Sequence, residues 1–230
     1  MTENTKLSGI KACVFDAYGT LFDVHSAVGV HRAALGEKAD AVSAVWRDKQ
    51  LQYTWLRSLM GAHADFWQVT GDALDFALER HGIDDSALRE GLMQAYLTLD
   101  AYGDVAMTLA KLKSAGLRTA ILSNGSPRML GSAVKSAGIE GDLDAVLSIE
   151  DVGIYKPDPR VYQLAVDTLA IAAHEICFVS TNAWDASGAA HFGFQVAWMN
   201  RFGLTPERLP GNFGAVIDGL EALPPLVGVA

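Results

Sequence analysis

The chain has 230 residues, 50% of them hydrophobic and 20% charged, which suffices for a core of ordinary size and leaves room for a large insertion. A formal net charge of −9 argues against nucleic acid or an anionic membrane surface as partner, because neither attracts an acidic protein. No apolar run reaches the roughly 18 residues of a spanning helix, and MTENTKLSGIK at the start carries no apolar signal segment, so a cytoplasmic location is the expectation.

The first predicted element is the strand in KACVFDA, which ends at Asp16 and runs into the turn residues Ala17, Tyr18, Gly19 and Thr20. From about 24 to 102 the pattern is helical only, with apolar residues such as Val42, Val45, Trp46, Leu51, Trp55 and Leu59, then Phe66, Leu74 and Leu78, broken by Gly and charged residues. After this stretch, strand-like runs alternate with helical ones. The strands are LRTAILSNG, LDAVLSIED, EICFVSTN, FQVAWMNR and GAVIDG; the helices are 104–115, 127–137 after Ser126-Pro127, 159–170 after Asp158-Pro159, and 185–192. Strand then helix, repeated, predicts an α/β fold: a Rossmann-like, mostly parallel sheet with helices on both faces. The expected organisation is a core of 1–23 and 103–230 with a helical cap subdomain of 24–102 inserted after the first strand. No internal repeat or low-complexity tract interrupts it. Cys13 and Cys177 fall inside strand-like runs without metal-ligand spacing and read as two buried thiols.

In open parallel sheets ligands bind beyond the carboxyl ends of the strands. The candidate site residues are therefore Asp16 to Thr20, Ser123 to Ser126, Glu150 to Lys156, and Ser180 to Asp185. Together they offer carboxylates, a lysine, hydroxyls and amides, a set suited to nucleophilic chemistry on an anionic substrate. Each also has a plainer reading. Asp16 serves as an acceptor for backbone N–H groups in its turn, Thr20 and Ser123 as turn hydroxyls, Lys156 and Arg47 as solvated cations, and Tyr162 as a core residue. Asn182 with Asp185 reads as a helix-capping pair, the amide at the N-cap and the acid in the first turn.

The segments VFDAYGTLF, SNGSP, GIYKPDPRVY and FVSTNAWD, in this order with a helical insert after the first, resemble the haloacid dehalogenase-like hydrolases over nearly the whole chain. WRDKQLQYTWLRSLMG and STNAWD are similar to the L-2-haloacid dehalogenases of that superfamily rather than to its phosphatases. The phosphatases carry a second aspartate where this chain has Tyr18. A phosphoryl ester's leaving alkoxide needs a proton from that acid, whereas a halide needs none.

The resemblance implies a hydrolytic dehalogenase for small 2-haloalkanoates that needs no cofactor and no metal, with water and halide as its other small partners and a homodimer as its assembly. Asp16 becomes the nucleophile, leaving an aspartyl ester of the 2-hydroxy acid. Asp185 orients and deprotonates the water that hydrolyses this ester, and Lys156 and Asn182 hold both carboxylates. Arg47 from the cap and Asn124 from the core receive the halide beside Trp184. Thr20, Ser123, Lys156 and backbone N–H groups of the first loop, from Ala17 on, hold the substrate carboxylate. Tyr18, Leu51, Phe66 and Trp184 line an apolar wall, with Tyr162 and Ser180 behind the catalytic groups. Asp48, where relatives usually have glutamine, places an acid next to Arg47 in sequence and is a departure from the pattern. Two other readings stand beside this one: an Mg-dependent phosphatase or phosphonate hydrolase of the same superfamily, and a non-catalytic binding module.

Overall fold

The computed structural model describes residues 7–230, so that residues 1–6 of the expected core segment lie outside the described residues. One sheet of parallel strands organises the fold. Its strands are β1 (Ala12–Phe15), β2 (Arg118–Ser123), β3 (Ala145–Ser148), β4 (Ile176–Ser180), β5 (Gln195–Met199) and β6 (Ala215–Ile217), in the spatial order β3-β2-β1-β4-β5-β6. Every residue of β1 and β4 is buried, as expected of central strands covered on both faces and therefore apolar without alternation. Cys13 and Cys177 stand opposite each other across these two strands, both buried and reduced.

The order of the strands decides where chemistry can sit. The chain moves outward from β1 to β3, returns to place β4 beside β1, and then moves outward again to β6. The reversal lies between β1 and β4, and the crevice beyond their carboxyl ends is where an open α/β sheet accepts ligands. The ladder persists up to that crevice, since the Asp16 N–H still donates to Val179 O at 2.9 Å.

Between β1 and the helix α6 (Val105–Ser114) the chain carries α1 (Ser26–Val30), α2 (Arg32–Leu35), α3 (Ala39–Met60), α4 (Phe66–Arg80) and α5 (Ser86–Ala95). The Asp65 and Asp85 side chains cap α4 and α5 by accepting from the N–H groups of Gln68 and Leu88. α3 and α4 pack as a hairpin, with Val42 and Trp46 of one and Phe66 and Val69 of the other buried, and Trp46 Nε1 donates to Thr70 O across it at 2.9 Å. The two chain segments that join these helices to the sheet are tied to each other, Asp23 N–H to Asp100 O at 2.8 Å and Tyr102 N–H to Leu21 O at 3.0 Å. The insertion thus leaves and rejoins the sheet through a single neck.

The helices that follow the strands begin where their start signals place them: α7 (Pro127–Ala137) after the Ser126 cap and α8 (Pro159–Leu169) after the Asp158 cap, each with proline at its first position. The helix expected over 185–192 begins two residues earlier, as α9 (Ala183–Phe192). Asn182 has extended backbone, and its carbonyl already accepts from the N–H groups of Asp185 and Ala186, which starts the helix at once. The short helix α10 (Leu223–Leu226) closes the described chain.

α9 carries Asp185 and rests on α8 through Gly188. A β-carbon at Gly188 would stand 2.6 Å from the Tyr162 phenol oxygen and 2.7 Å from Pro157 Cβ, both on rigid rings. Gly188→Ala is therefore expected to overpack this contact at a cost of about 1–3 kcal/mol. Thermal unfolding should show a melting temperature lower by roughly 2–12 °C; an unchanged transition would mean that α8 and α9 separate freely.

Candidate active site

Three buried charges meet at the reversal point. Lys156, 1% exposed and carried in from the loop after β3, donates from Nζ to Asp16 Oδ1 at 3.1 Å and to Asp185 Oδ2 at 2.8 Å. Its Nζ also stands over the Phe178 ring, 4.9 Å from the ring centre. Asp16 comes from the end of β1 and Asp185 from the first turn of α9. Burial works to strip Lys156 of its proton, but the two carboxylates outweigh it and hold the ammonium above its ordinary range. Burial also pushes the Asp185 carboxyl up to about 6; the Asp16 charge adds to the push and Lys156 opposes it.

The second oxygen of Asp16 is held as firmly as the first. Asp16 Oδ2 accepts from the Asn182 side-chain amide at 2.8 Å and from the Thr20 hydroxyl at 3.3 Å. Thr20 Oγ1 in turn accepts from the Thr181 N–H at 2.9 Å, which stitches the loops after β1 and β4 together. Between them Gly19, at φ +93°, lets the chain turn beneath Arg47 and Asn182, and a β-carbon there would lie 4.0 Å from both side chains. Tyr162 donates to Asp185 Oδ1 at 2.8 Å, so the core residue at helical spacing is also the one that aims the second carboxylate.

Arg47 enters from α3. Its Nη2 donates to Tyr18 O at 3.1 Å and to Asn182 Oδ1 at 3.3 Å, and its Nη1 donates to Gln50 Oε1 at 2.7 Å. Asn182 therefore links the cation of the inserted helices to the carboxylate of the sheet. The capping-pair reading holds in position only, Asn182 being the N-cap residue of α9 and Asp185 lying in its first turn. The Asn182 side chain makes no cap hydrogen bond, because its amide is spent on Asp16 and on Tyr18 O, and Asp185 is fully buried rather than lying free at a helix end.

The remaining expected residues divide into two groups. Tyr18 (2% exposed) and Phe66 (1%) pack ring on ring at 5.5 Å, and Tyr18 stacks on Tyr96 at 5.6 Å. Ala17 is buried in the turn, where its carbonyl accepts from Thr20, Leu21 and Phe22. Leu51 and Trp184 are half-buried, and Trp184 meets Trp55 of α3 edge-on at 5.2 Å. Asp48 is exposed, so the acid beside Arg47 in sequence points to solvent. The other group has local partners. Ser123 Oγ accepts from the Gly125 N–H at 3.1 Å, Ser180 Oγ from the Asn182 N–H at 3.2 Å, and Asn124 Oδ1 from the Lys156 N–H at 3.1 Å. Asn124 thereby fixes the backbone that presents the lysine. Ser123 makes the turn contact of its plainer reading through a lone pair of its hydroxyl, a contact that does not use its O–H.

A family model described as haloacid dehalogenase-like hydrolase matches residues 10–193. The chain belongs to that family. The (S)-2-haloacid dehalogenase 4A of Burkholderia cepacia is 49% identical to it over 222 residues, covering 96% of each chain. A solved structure described as a dehalogenase matches with a TM-score of 0.94 at 50% identity, over 95% of this chain and 97% of that one. The L-2-haloacid dehalogenase from Xanthobacter autotrophicus, solved with chloropropionic acid covalently bound, matches with a TM-score of 0.89 at 40% identity, over 96% and 100% of the two chains.

Some groups of this haloacid dehalogenase-like hydrolase that bear on the site were not evident from motif order. Gln50 is 1% exposed and bonded to Arg47. His63 pairs with Glu150 at 2.9 Å, and Tyr155 donates to Ala64 O at 2.6 Å; both contacts join the inserted helices to the loop that carries Lys156. Gln50 had one available signal, its position three residues after Arg47 on the same helix face. The His63–Glu150 contact has none, being a meeting of two loops.

The trio makes a stability prediction. Without the ammonium, Asp16 and Asp185 are two buried carboxylates with no cation between them, and Lys156→Met should cost about 3–5 kcal/mol at pH 8. In that variant the Asp185 carboxyl, already raised by burial, loses the cation that opposes the rise and binds its proton more tightly folded than unfolded, where its ordinary pKa is about 3.9. Lowering the pH then favours the fold, and the deficit should shrink toward pH 5. Urea unfolding of both proteins at pH 5 and pH 8 reads this directly, and a deficit that grows as the pH falls would contradict it.

Proposed function

We propose that the chain hydrolyses L-2-haloalkanoic acids to D-2-hydroxy acids through an ester on Asp16, with inversion and without a metal. The observation that carries this reading is the Asp16 carboxylate, held by Lys156, Asn182 and Thr20, facing Arg47 from α3 across Asn182. The (S)-2-haloacid dehalogenase of Burkholderia cepacia, 49% identical, supports the substrate class, and the chloropropionic acid covalently bound in the Xanthobacter autotrophicus protein supports a covalent step.

In the first step an Asp16 oxygen attacks C2 of the substrate in line with the carbon–halogen bond. The O–C bond forms as the C–X bond breaks, and the pair of electrons leaves on the halide, which Arg47 and Asn124 receive beside Trp184. Thr20, Ser123 and Lys156 seat the substrate carboxylate, while Tyr18, Leu51, Phe66 and Trp184 wall its alkyl part. In the second step water adds to Asp16 Cγ as one of its protons passes to Asp185; the Cγ–O ester bond then breaks, Asp185 returns that proton to the departing oxygen, and the 2-hydroxy acid leaves with its C2–O bond intact while Asp16 regains its carboxyl group. The inserted helices, 24–102, act as a cap that carries Arg47 over a core of 1–23 and 103–230, and two such chains pair as a homodimer.

The phosphatase alternative has less support. Burial first, and the Tyr96 and Asp16 charges after it, hold the Tyr18 phenol well above its ordinary range, which makes it a poor proton donor for an alkoxide leaving group near neutral pH. The donor set does not fit a divalent ion either. Lys156 already stands between the two carboxylates, and the groups around them are an amide and a hydroxyl rather than further acids.

The reading is tested by halide release from L-2-chloropropionate in the presence of chelator, with chiral chromatography of the product. D-lactate at an unchanged rate is expected. Retained L-lactate, activity restored only by Mg²⁺, or activity on aryl phosphate alone would overturn it.

The division of labour makes a second prediction. Asp185→Asn should slow ester hydrolysis far more than ester formation, because the base acts only after halide has gone. Peptide mass spectra after mixing with L-2-chloropropionate should show the adduct accumulating on Asp16. An unmodified Asp16 with no burst of halide would refute the assignment.

A further inference from the structure

We infer that Gln50 is a positioning residue for the leaving-group end of the site, holding Arg47 through a neutral acceptor whose direction is set by Thr70 and Tyr96. The inference rests on the reaction proposed above and extends it to a residue that touches neither substrate nor nucleophile.

The direction follows from counting protons. The Thr70 hydroxyl has one, and it is donated to Phe66 O at 2.5 Å, one turn back in α4. Thr70 Oγ1 can then only accept, and it accepts from Gln50 Nε2 at 2.8 Å. That contact fixes which end of the Gln50 amide is nitrogen, so Oε1 must face the other way. There it accepts from Arg47 Nη1 at 2.7 Å and from the Tyr96 hydroxyl at 3.2 Å. Burial keeps the Tyr96 phenol above its ordinary range, so it remains a donor. Thr70 cannot drift, since its own carbonyl accepts from Trp46 Nε1 at 2.9 Å.

The chemistry of residue 50 matters as much as its placement. A glutamate there would pair with Arg47 and neutralise it where the halide's charge develops. A leucine would leave the Arg47 and Tyr96 donors without their acceptor. A glutamine does neither: it orients the guanidinium and leaves its full charge for the departing ion. It also costs little to hold, because Gln50 is 1% exposed and every hydrogen bond it makes is to a group fixed by α3, α4 or the turn at Tyr96–Thr98.

A purely structural glutamine and a positioning one differ in what they do to the leaving group. Chloride, the smaller and harder ion, draws more from a well-aimed donor than bromide does. In single-turnover mixing with L-2-chloropropionate and L-2-bromopropionate, Gln50→Glu and Gln50→Leu should release halide about 10–100-fold more slowly than the wild type. The loss should be larger for chloride, free bromide should inhibit the variants several-fold less, and decay of the Asp16 ester should be unchanged. Thr70→Val, nearly isosteric, removes the acceptor that fixes the amide and should give a smaller loss with the same chloride bias; it carries the test if the Gln50 variants do not fold. Wild-type rates, or an unchanged bromide-to-chloride ratio, in folded Thr70→Val and Gln50→Leu would overturn the inference alone. No halide release by the wild type would overturn the underlying reaction instead.

Discussion

Two carboxylates and one ammonium are taken out of water together at the point where the sheet reverses, and much of the structure serves to keep them there. A buried ion pair recovers its desolvation cost only when its remaining lone pairs and protons also find partners. Here they do. Asp16 has Thr20 and Asn182 beside Lys156, and Asp185 has Tyr162. Each of these partners comes from a different loop or helix, so the trio requires the loops after β1, β3 and β4 and the helix α8 to be placed together. The Asn124 side chain extends the requirement to the loop after β2 by holding the Lys156 backbone N–H.

The same economy governs the contact between the inserted helices and the sheet. Arg47 reaches the core only through polar groups that already have work there, Tyr18 O and Asn182 Oδ1. Because Asn182 uses one end of its amide for Arg47 and the other for Asp16, that side chain couples the position of α3 to the carboxylate. The aromatic packing of Tyr18 on Phe66 and Tyr96, and of Trp55 on Trp184, gives this polar bridge an apolar surround with rigid walls. Gly125 belongs to that packing, since a β-carbon there would stand 2.6 Å from the Tyr18 ring.

The α/β architecture was legible because strand and helix periods differ and start signals such as Ser126-Pro127 and Asp158-Pro159 are local. The loop residues Asp16, Lys156, Asn182 and Asp185 were legible for a topological reason: residues after parallel strands converge at one edge of the sheet. Pairwise partners were not. Nothing local distinguishes an asparagine that caps a helix from one whose amide is drawn across to a carboxylate 166 residues away in sequence. Gln50 and Thr70 were passed over for a similar reason. They lie in a helical stretch whose apolar stripe dominates its pattern, and only the pairing of α3 with α4 shows that two buried polar groups face each other inside it.

The electrostatics of the trio also order the two proposed steps. While Asp16 is ionised, its charge helps to hold the Asp185 carboxyl up near 6, and Lys156 is divided between the two acids. Forming the ester removes the Asp16 charge. The repulsion that raised Asp185 then vanishes, and Lys156 is left with one carboxylate rather than two. Both changes favour ionised Asp185, the form that can accept a proton from water. In the proposed reaction the first chemical step thus prepares the base for the second without any group having to move.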